Sequence, residues 1–592
     1  MRIKAALSQE TPIDGGMHRD DRFLKRIFQR FLLPNMFSVL GATANTLVDS
    51  AIIGNLMGTQ ALAAMNLCGP VSLLCCAAGG LIGSGGGYLA AGFIGKNDER
   101  SSRQCYTAAV LLETLFGLIV AIVGCAFIQY VVKLLGADSA LSEMTKSYAR
   151  ILLLSAPLKC LLYVPFHFLR LEGKPEAVSV SLLAMIAVNG VLDVLLIQMG
   201  FGMAGASAAS ALGTLAGVGI GFFYLHRSSF QFVSLRGAGR LTGRLLLLGS
   251  PAAVNNLLAM LRMVLLNRLL MRAGGSGWVA AFTLAGSLAD FALCVLNGVS
   301  QTAVPLIGVY RAEKNNVALR RLTMLQLIYG EALICVFALV VALFPGLFCG
   351  LFGLHASVQA ELAARMFALA LPFSMLCTVL FFFYSAMERV GLANWIVFCR
   401  VFLFAVPPAF LLLHTGAAVW LFYPLSEVLT LLALLPALKR ERRRNPALTP
   451  ALLLDDRMER EGKVIDFSVE NRPSAVTEAA EKISAFCEAN SLTPKELMAV
   501  SLSIEEMLLI ILEHCFQQGE SATADVRVYV LPDEIGIRIR NAGKTFNPLE
   551  YYKEQRDKDA FGETLGLRMI EAMAKKVIYQ RTFGVNTLTI SL

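Results

Sequence analysis

Two parts of this chain are suited to different solvents. Residues 31–438 form a nearly continuous series of apolar segments, each of about 20 residues or more, the length with which an α-helix crosses a bilayer. Residues 463–592 instead mix polar and apolar positions as soluble domains do. A basic cluster, Lys439 to Arg444, separates the two parts. The sequence therefore predicts a mostly α-helical, multi-spanning membrane protein followed by a small soluble α+β domain.

Composition agrees with this interpretation. Hydrophobic residues occupy 56% of the 592 positions, compared with about 45–50% in soluble chains. The net charge of +9 comes from lysines and arginines gathered before the first apolar segment and in a subset of loops. This is the positive-inside pattern of membrane proteins, and it does not indicate a nucleic-acid partner. The 13 cysteines show no CxxC or Cys/His spacing, so no metal site is expected.

The apolar segments number twelve and predict twelve transmembrane helices. Their bounds are 31–57, 65–94, 105–135, 149–170, 177–198, 202–225, 245–271, 277–304, 323–348, 363–386, 393–414 and 417–438. An even number of spans places both ends of the membrane part on one side, and the basic loops place that side in the cytoplasm. We therefore expect a multi-pass protein of the inner (plasma) membrane with both termini cytoplasmic.

The predicted domain plan contains two similar halves. It consists of a cytoplasmic N-terminal segment (1–30), an N-terminal six-helix lobe (31–225), an inter-lobe cytoplasmic loop (226–244), a C-terminal six-helix lobe (245–438), a basic linker (439–462) and a cytoplasmic domain (463–592). Each lobe opens with a span that contains a proline, Pro34 or Pro251. Repeated six-helix halves are typical of secondary transporters, which bind substrate between the halves near mid-membrane.

An ordered set of motifs connects the membrane part to a known family. The motifs are Leu47-Val48-Asp49, Gly54-Asn55-Leu56-Met57-Gly58, Gly95-Lys96-Asn97-Asp98, Asn189-Gly190-Val191-Leu192-Asp193 and Pro305-Leu306-Ile307-Gly308-Val309-Tyr310. Over about residues 20–440 the chain resembles the multidrug and toxic compound extrusion (MATE) transporters. The resemblance implies an antiporter that exports small organic molecules or drugs through the lipid bilayer, driven by H⁺ or Na⁺.

Three polar residues inside apolar spans predict the site for the coupling ion. Asp49 lies in the first span, while Asn189 and Asp193 lie four residues apart in the fifth and so share one helix face. Ionisable groups are costly in a membrane and usually functional, and oxygen ligands suit a hard cation. The resemblance points to the same three residues, because one MATE branch has this pattern as its cation site. The alternative is that Asp49 and Asp193 only brace their helices.

Other polar residues of the membrane part leave several roles open. The resemblance also implies that a hydroxyl of the sixth span joins the cation site, and the candidates are Ser207, Ser210 and Thr214. The remaining charged residues either line the central cavity, which favours anionic or zwitterionic cargo, or pair across helices. They are Lys159, His167, Arg262, Arg268, Asp290, Arg400 and Glu427.

The soluble tail has the periodicity of an α+β domain. We predict strands at 464–469, 525–531, 534–541, 577–582 and 586–592, and helices at 473–490, 494–516 and 564–577. Three segments, 503–514, 539–548 and 562–570, together resemble the nucleotide-binding boxes of the GHKL ATPase superfamily, in particular its anti-sigma-factor kinase branch. The resemblance implies ATP or ADP as a cofactor.

The resemblance also assigns roles in the tail, and two departures weaken them. It implies a catalytic base at Glu505 or Glu506 and nucleotide contacts by Asn541, Gly543, Gly562 and Gly566. The family's Mg²⁺-binding Asn is replaced by Ile510, and its adenine-reading Asp by Asn541. Phosphoryl transfer depends on the metal, so we expect a weak or inactive enzyme that senses nucleotide or binds a cytoplasmic regulatory protein.

Three functions are compatible with these features. The leading hypothesis is a cation-coupled MATE-type exporter of small-molecule cargo, regulated by its degenerate nucleotide-binding domain. A second is a lipid-linked precursor flippase of the same superfamily. A third is a membrane-anchored signalling protein with an anti-sigma-kinase-like output domain.

Overall fold

The computed structural model of the protein describes most of the chain. The described residues are 21–57, 61, 64–65, 67–135, 141–236, 239–351, 358–413, 419–517, 522–531, 534–557, 570, 572–582 and 584–592. They form two compact units. We call Phe28–Arg440 the helical unit, and Glu441–Leu592 together with the described residues before Phe28 the sheet unit.

The helical unit consists of long helices. They are α1 (Asp21–Met57, which begins in the sheet unit), α2 (Gly69–Gly79), α3 (Gly85–Gly95), α4 (Glu99–Ala126), α5 (Ile128–Leu134), α6 (Ser142–Leu154), α7 (Ala156–Leu161), α8 (Tyr163–Leu171), α9 (Pro175–Leu196), α10 (Gly202–His226), α11 (Gly239–Ala312), α12 (Asn316–Leu343), α13 (Pro345–Leu351), α14 (Val358–Ala386), α15 (Val390–Val397), α16 (Val406–Leu412) and α17 (Phe422–Arg444, which ends in the sheet unit). Short π-helical turns lie at Gly80–Ser84, Ile197–Phe201 and Phe398–Leu403.

Most of these helices are long and apolar enough to cross a bilayer. Within the described residues, nine helices meet that requirement, or ten if the bent pair Ser142–Leu154 and Ala156–Leu171 forms one span. One of the nine, Pro175–His226, contains the predicted spans 177–198 and 202–225. The helix is kinked between these two spans at Gly200. Its φ of 87° is a conformation that glycine adopts easily, because glycine has no Cβ atom to clash. The first predicted span lies within α1 and is not among the nine.

The two halves repeat each other in local detail. Asp98 caps α4 by accepting a hydrogen bond from the Ser101 backbone N–H at 3.0 Å, and Asn315 caps α12 by accepting one from the Ala318 backbone N–H at 3.0 Å. The residue before each cap, Asn97 or Lys314, has a positive φ, 56° or 54°. The same turn therefore leads into the third helix of each half, as expected for a duplicated lobe.

Helices from the two halves approach each other at glycines. A Cβ atom on Gly249 of α11 would collide with the carbonyl oxygen of Leu81, and one on Gly85 of α3 would collide with that of Leu245. Here backbone packs against backbone, which is a common way for membrane helices to gain van der Waals contact.

The sheet unit is built on one antiparallel sheet of five strands. The strands are β1 (Val464–Glu470), β2 (Thr523–Leu531), β3 (Glu534–Asn541), β4 (Lys576–Thr582) and β5 (Val585–Ser591), in the order β1-β2-β3-β5-β4. Helices α19 (Pro473–Ala489) and α20 (Pro494–Cys515) share a buried core with the sheet, which includes Phe467, Ile483 and Ile504. On the other strand face the Arg527 guanidinium pairs with Asp466 at 2.6 Å.

The predicted strands and the first two predicted helices of the tail are confirmed. Two short helices were not predicted, α18 (Arg457–Arg460) in the linker and α21 (Pro548–Asp557) after the adenine-box segment. Most of the predicted helix 564–577 lies outside the described residues, and its last two positions belong to β4.

Candidate functional site

The structure brings the three predicted cation-site residues together. Asp49 of α1 and Asn189 and Asp193 of α9 are all buried, with 8%, 1% and 0% of their surfaces exposed. The side-chain amide of Asn189 donates a hydrogen bond to Oδ1 of Asp49. Asp49 lies 140 positions before Asn189 in the sequence, so the contact between α1 and α9 creates the cluster.

One of the three candidate hydroxyls joins this cluster. Ser210 of α10 donates a hydrogen bond to Oδ2 of Asp49 at 3.2 Å. The hydroxyl of Thr214 donates to the Ser210 carbonyl of its own helix at 2.8 Å. The Ser207 hydroxyl is buried and has no hydrogen-bond partner in the described part of the chain. Ser210 is therefore the sixth-span hydroxyl that contacts the acidic pair.

The two carboxyl groups differ in their surroundings. Asp49 receives hydrogen bonds from Asn189 and Ser210. Neither carboxyl oxygen of Asp193 receives one from a described donor, and its carboxyl lies next to that of Asp49. The Tyr148 hydroxyl of α6 lies beside Ser210. Tyrosine is ordinary in a transmembrane helix, so only the folded structure identifies Tyr148 as part of this environment.

A separate cavity of about 440 Å³ lies among α1, α3, α8, α9, α11 and α14. Its wall contains His167, which the sequence suggested, and Arg170, the last residue of the predicted span 149–170. No aspartate or glutamate is among the described residues that line it. Of the other intramembrane charged residues, Lys159, Arg262, Arg268, Asp290, Arg400 and Glu427 do not line this cavity.

Glu427 takes part in an ion pair across helices, one of the two roles expected for it. The Arg400 guanidinium contacts its carboxylate at 2.7 Å. Ser374 donates a hydrogen bond to the same carboxylate oxygen at 2.7 Å, and Arg400 donates another to Thr378 at 3.0 Å. A buried charge with these partners is compensated within the protein, so the geometry favours bracing over cargo binding.

In the sheet unit, α20 carries the predicted base. Glu505 is exposed and Glu506 half-buried. Ile510, one turn further along, packs against the core of the unit, and an isoleucine side chain has no atom that ligates a metal. The His514 ring at the next turn stacks on Phe546 with 4.4 Å between ring centres. In the described residues no group of three or more His, Cys, Asp or Glu side chains is arranged to hold a metal ion.

The predicted adenine-contact residues are tied to their own domain. Oδ1 of Asn541 accepts hydrogen bonds from the Gly543 backbone N–H at 3.1 Å and from the Asn586 amide at 2.9 Å. The carbonyl oxygen has two lone pairs, so both are already engaged. Gly543 lies against the end of α20, where a Cβ atom would collide with the Cys515 carbonyl oxygen. Burial raises the pKa of the nearby Cys515 thiol to about 11.

The described residues therefore do not fit Mg²⁺-bound ATP, because Ile510 offers no ligand and the Asn541 acceptor is occupied. The predicted lid glycines, Gly562 and Gly566, lie outside the described residues.

Comparison with known proteins identifies relatives of the membrane part. The chain is 25% identical over 289 residues to the multidrug export protein MepA of Staphylococcus aureus. The matched residues cover 48% of this chain and 64% of that protein. It is 25% identical over 284 residues to MepA of Staphylococcus saprophyticus, covering 47% of this chain and 62% of that one. The matched segment thus spans somewhat less than two thirds of these relatives.

Solved structures share the fold of the helical unit. A MATE family multidrug resistance transporter in an outward-facing conformation superposes with a TM-score of 0.62 and 22% identity, over 69% of this chain and 94% of that one. The Vibrio cholerae MATE transporter VcmN in a bent form superposes with a TM-score of 0.66 and 21% identity, over 71% of this chain and 97% of that one.

Two family models match the sequence. The MatE model matches residues 34–195 and again 251–411, which confirms the duplication and covers more than half of the chain. The model of the histidine kinase-like ATPase domain matches residues 469–592. The protein therefore belongs to the MatE family and carries a histidine kinase-like ATPase domain at the end of its described chain.

Proposed function

We propose that this protein is a proton-coupled exporter of small organic molecules, and that Asp49, Asn189, Asp193 and Ser210 form its coupling site. The observation that carries the proposal is the meeting of two buried carboxyl groups, from α1 and α9, inside a membrane protein of the MatE family. The similarity to multidrug export proteins supports drugs and related molecules as cargo.

The surroundings of the two acids favour a proton as the coupling ion. Two adjacent negative charges repel strongly in a low-dielectric interior, so such pairs hold one proton between them. Asp49 accepts hydrogen bonds from Asn189 and Ser210, which stabilise its charged form. Asp193 has no such donor in the described structure. We infer that Asp49 stays ionised and that Asp193 takes up and releases the proton.

Proton uptake at this site supplies a way to drive transport. It neutralises one charge between α1 and α9 and so changes the relative free energies of the outward- and inward-facing states. Cargo that binds one state better is then carried against its gradient while the proton moves down its own.

The proposal is tested in everted membrane vesicles with a panel of cationic, zwitterionic and anionic fluorescent dyes. We expect accumulation of at least one dye under an imposed pH gradient, acidic inside, and loss of that accumulation when an uncoupler collapses the gradient. Transport that follows a sodium gradient and ignores the uncoupler would make Na⁺ the coupling ion. No gradient-driven movement of any dye would contradict the exporter function.

We propose further that the protein lies in the inner membrane with both termini in the cytoplasm, because basic residues crowd both ends and the even-numbered loops. A reporter fused after Arg440 is expected to be active only in the cytoplasm. A cysteine at Glu143, in the first turn of α6 and within the predicted connection between the third and fourth spans, is expected to react with an impermeant reagent from outside. External labelling of the tail would contradict this orientation.

For the sheet unit we propose a regulatory role without efficient phosphoryl transfer. We expect the full chain to bind Mg²⁺-ATP weakly or not at all, since Ile510 cannot ligate the metal and the acceptor of Asn541 is used internally. The variant Ile510→Asn restores an oxygen ligand and is expected to strengthen Mg²⁺-dependent ATP binding. Calorimetry on both proteins, with and without Mg²⁺, measures this. Tight Mg²⁺-dependent binding by the unmodified chain would show an active nucleotide site.

A further inference from the structure

The 440 Å³ cavity of the helical unit, which we call the central cavity, has one sign of permanent charge on its described wall. Its described lining includes the Arg170 guanidinium, and no described lining residue is acidic. The polar remainder is uncharged and contains Asn255, Asn256 and Gln301. A second part of the wall is aromatic, with Phe381 and Phe382 in mutual contact at 5.0 Å between ring centres. The cavity therefore combines a cationic point with an apolar surface.

Among the described residues, Arg170 has no carboxylate as a counter-ion. One terminal nitrogen of the guanidinium, Nη1, donates to the side-chain oxygen of Gln301 at 2.6 Å. Its Nε is buried without a hydrogen-bond partner in the described structure. No carboxylate of the described residues forms a salt bridge with it. In contrast, Arg400 and Arg311 each hold a carboxylate at 2.7 Å.

An unpaired guanidinium inside a membrane protein is costly, because the surroundings solvate its charge poorly. A protein keeps such a group where a ligand supplies the missing anion. Guanidinium is the cation that suits an oxyanion best, since its parallel N–H groups match two oxygens of a carboxylate, sulfonate or phosphate. Gln301 holds one end of the group and so fixes the direction in which the remaining N–H groups point.

We propose that the cargo of this cavity is an amphiphilic organic anion, whose acidic head binds Arg170 and whose apolar body packs against Phe381 and Phe382. The inference rests on the proposed exporter function and names the cargo class. About 440 Å³ accommodates a drug-sized molecule. Gln301 acts as a specificity residue, because a carboxylate at its position would neutralise Arg170 and remove the preference for anions.

The test compares two fluorescent probes with the same aromatic body, the anion pyrenebutyrate and the cation pyrenebutyl-trimethylammonium. Both are titrated onto the full chain in nanodiscs of uncharged lipid, with empty nanodiscs as the blank. We expect the unmodified protein to bind the anion roughly 10-fold or more tightly than the cation, the size of one charge-assisted interaction. The variant Arg170→Gln is expected to weaken anion binding by about 10- to 100-fold.

Two further variants make the result specific. Gln301→Glu keeps the length of the side chain, adds the missing counter-ion and is expected to reverse the order of the two affinities. Arg268→Gln removes an exposed membrane arginine that does not line the cavity and is expected to leave both affinities unchanged. If Arg170→Gln fails to fold, Gln301→Glu decides the question.

The inference is wrong if the unmodified chain binds the cation better or binds neither probe, or if the anion preference survives in Gln301→Glu. Transport in everted membrane vesicles separates this failure from a failure of the exporter function. Gradient-driven uptake of a cationic dye with no anion binding would overturn only the cargo class.

Discussion

Gradient-driven efflux is expected to be abolished by Asp49→Asn and by Asp193→Asn, while both variants still insert into the membrane. Each substitution keeps the size of the side chain and removes one carboxyl group of the pair that is proposed to hold the proton. The remaining acid then has no partner with which to share one, so cargo movement no longer depends on the gradient. Dye accumulation in everted vesicles measures the effect, and immunoblotting of the membrane fraction verifies insertion.

The controls distinguish coupling from a general loss of charge. Asp290→Asn removes an exposed intramembrane acid that does not line the central cavity, and efflux is expected to stay near the unmodified level. Ser210→Ala removes one hydrogen bond to Asp49 and is expected to lower the rate by roughly 10-fold without abolishing it. Full efflux in either Asp variant would mean that these acids only brace their helices.

Assembly of the two lobes is expected to fail or weaken in Gly249→Ala. The added Cβ atom would overlap the carbonyl oxygen of Leu81, and a backbone atom moves only if the whole helix moves. Overpacking of this kind costs roughly 3 kcal/mol. We expect a clearly lower temperature of thermal aggregation in detergent and a lower yield of folded protein, both read by fluorescence size-exclusion chromatography.

Gly286→Ala is the matched control for this prediction. Gly286 belongs to the same long helix α11, and a Cβ atom there would meet nothing within 4 Å. Its replacement changes helix propensity in the same direction as Gly249→Ala but adds no collision. Equal stability of the two variants would show that the lobes do not depend on the backbone contact at Gly249.

Local sequence patterns predicted the membrane helices and the five strands of this protein, but not the short helices α18 and α21. Long apolar segments predict membrane helices because a bilayer requires an unbroken hydrogen-bonded backbone about 20 residues long. The alternation in 464–469 predicts β1, since successive side chains of a strand point to opposite faces. These rules concern neighbours along the chain, so they hold before tertiary packing is known.

The candidate coupling site was predictable in part for the same reason. A carboxyl group inside an apolar span costs free energy, and the sequence shows that Asp49 and Asp193 lie inside such spans. The sequence could not show that Ser210, rather than Ser207 or Thr214, contacts Asp49. It depends on which side of α10 faces Asp49, and three hydroxyls spaced along one helix do not reveal its rotation.

What only the tertiary structure decided is the environment of each polar group. Sequence position placed Arg170 at the end of the fourth predicted span, whereas folding places it in the cavity wall without a carboxylate partner among the described residues. Sequence likewise left the Asn541 carbonyl open to adenine, whereas the sheet brings Asn586 of β5 against it. The sequence determined the spans, the duplication and the acids within the spans, because transfer into a membrane is favourable for apolar groups and costly for charged ones, and each segment shows its own composition. Partners are contributed by distant segments, and only the packing of those segments determines which charges are compensated within the protein.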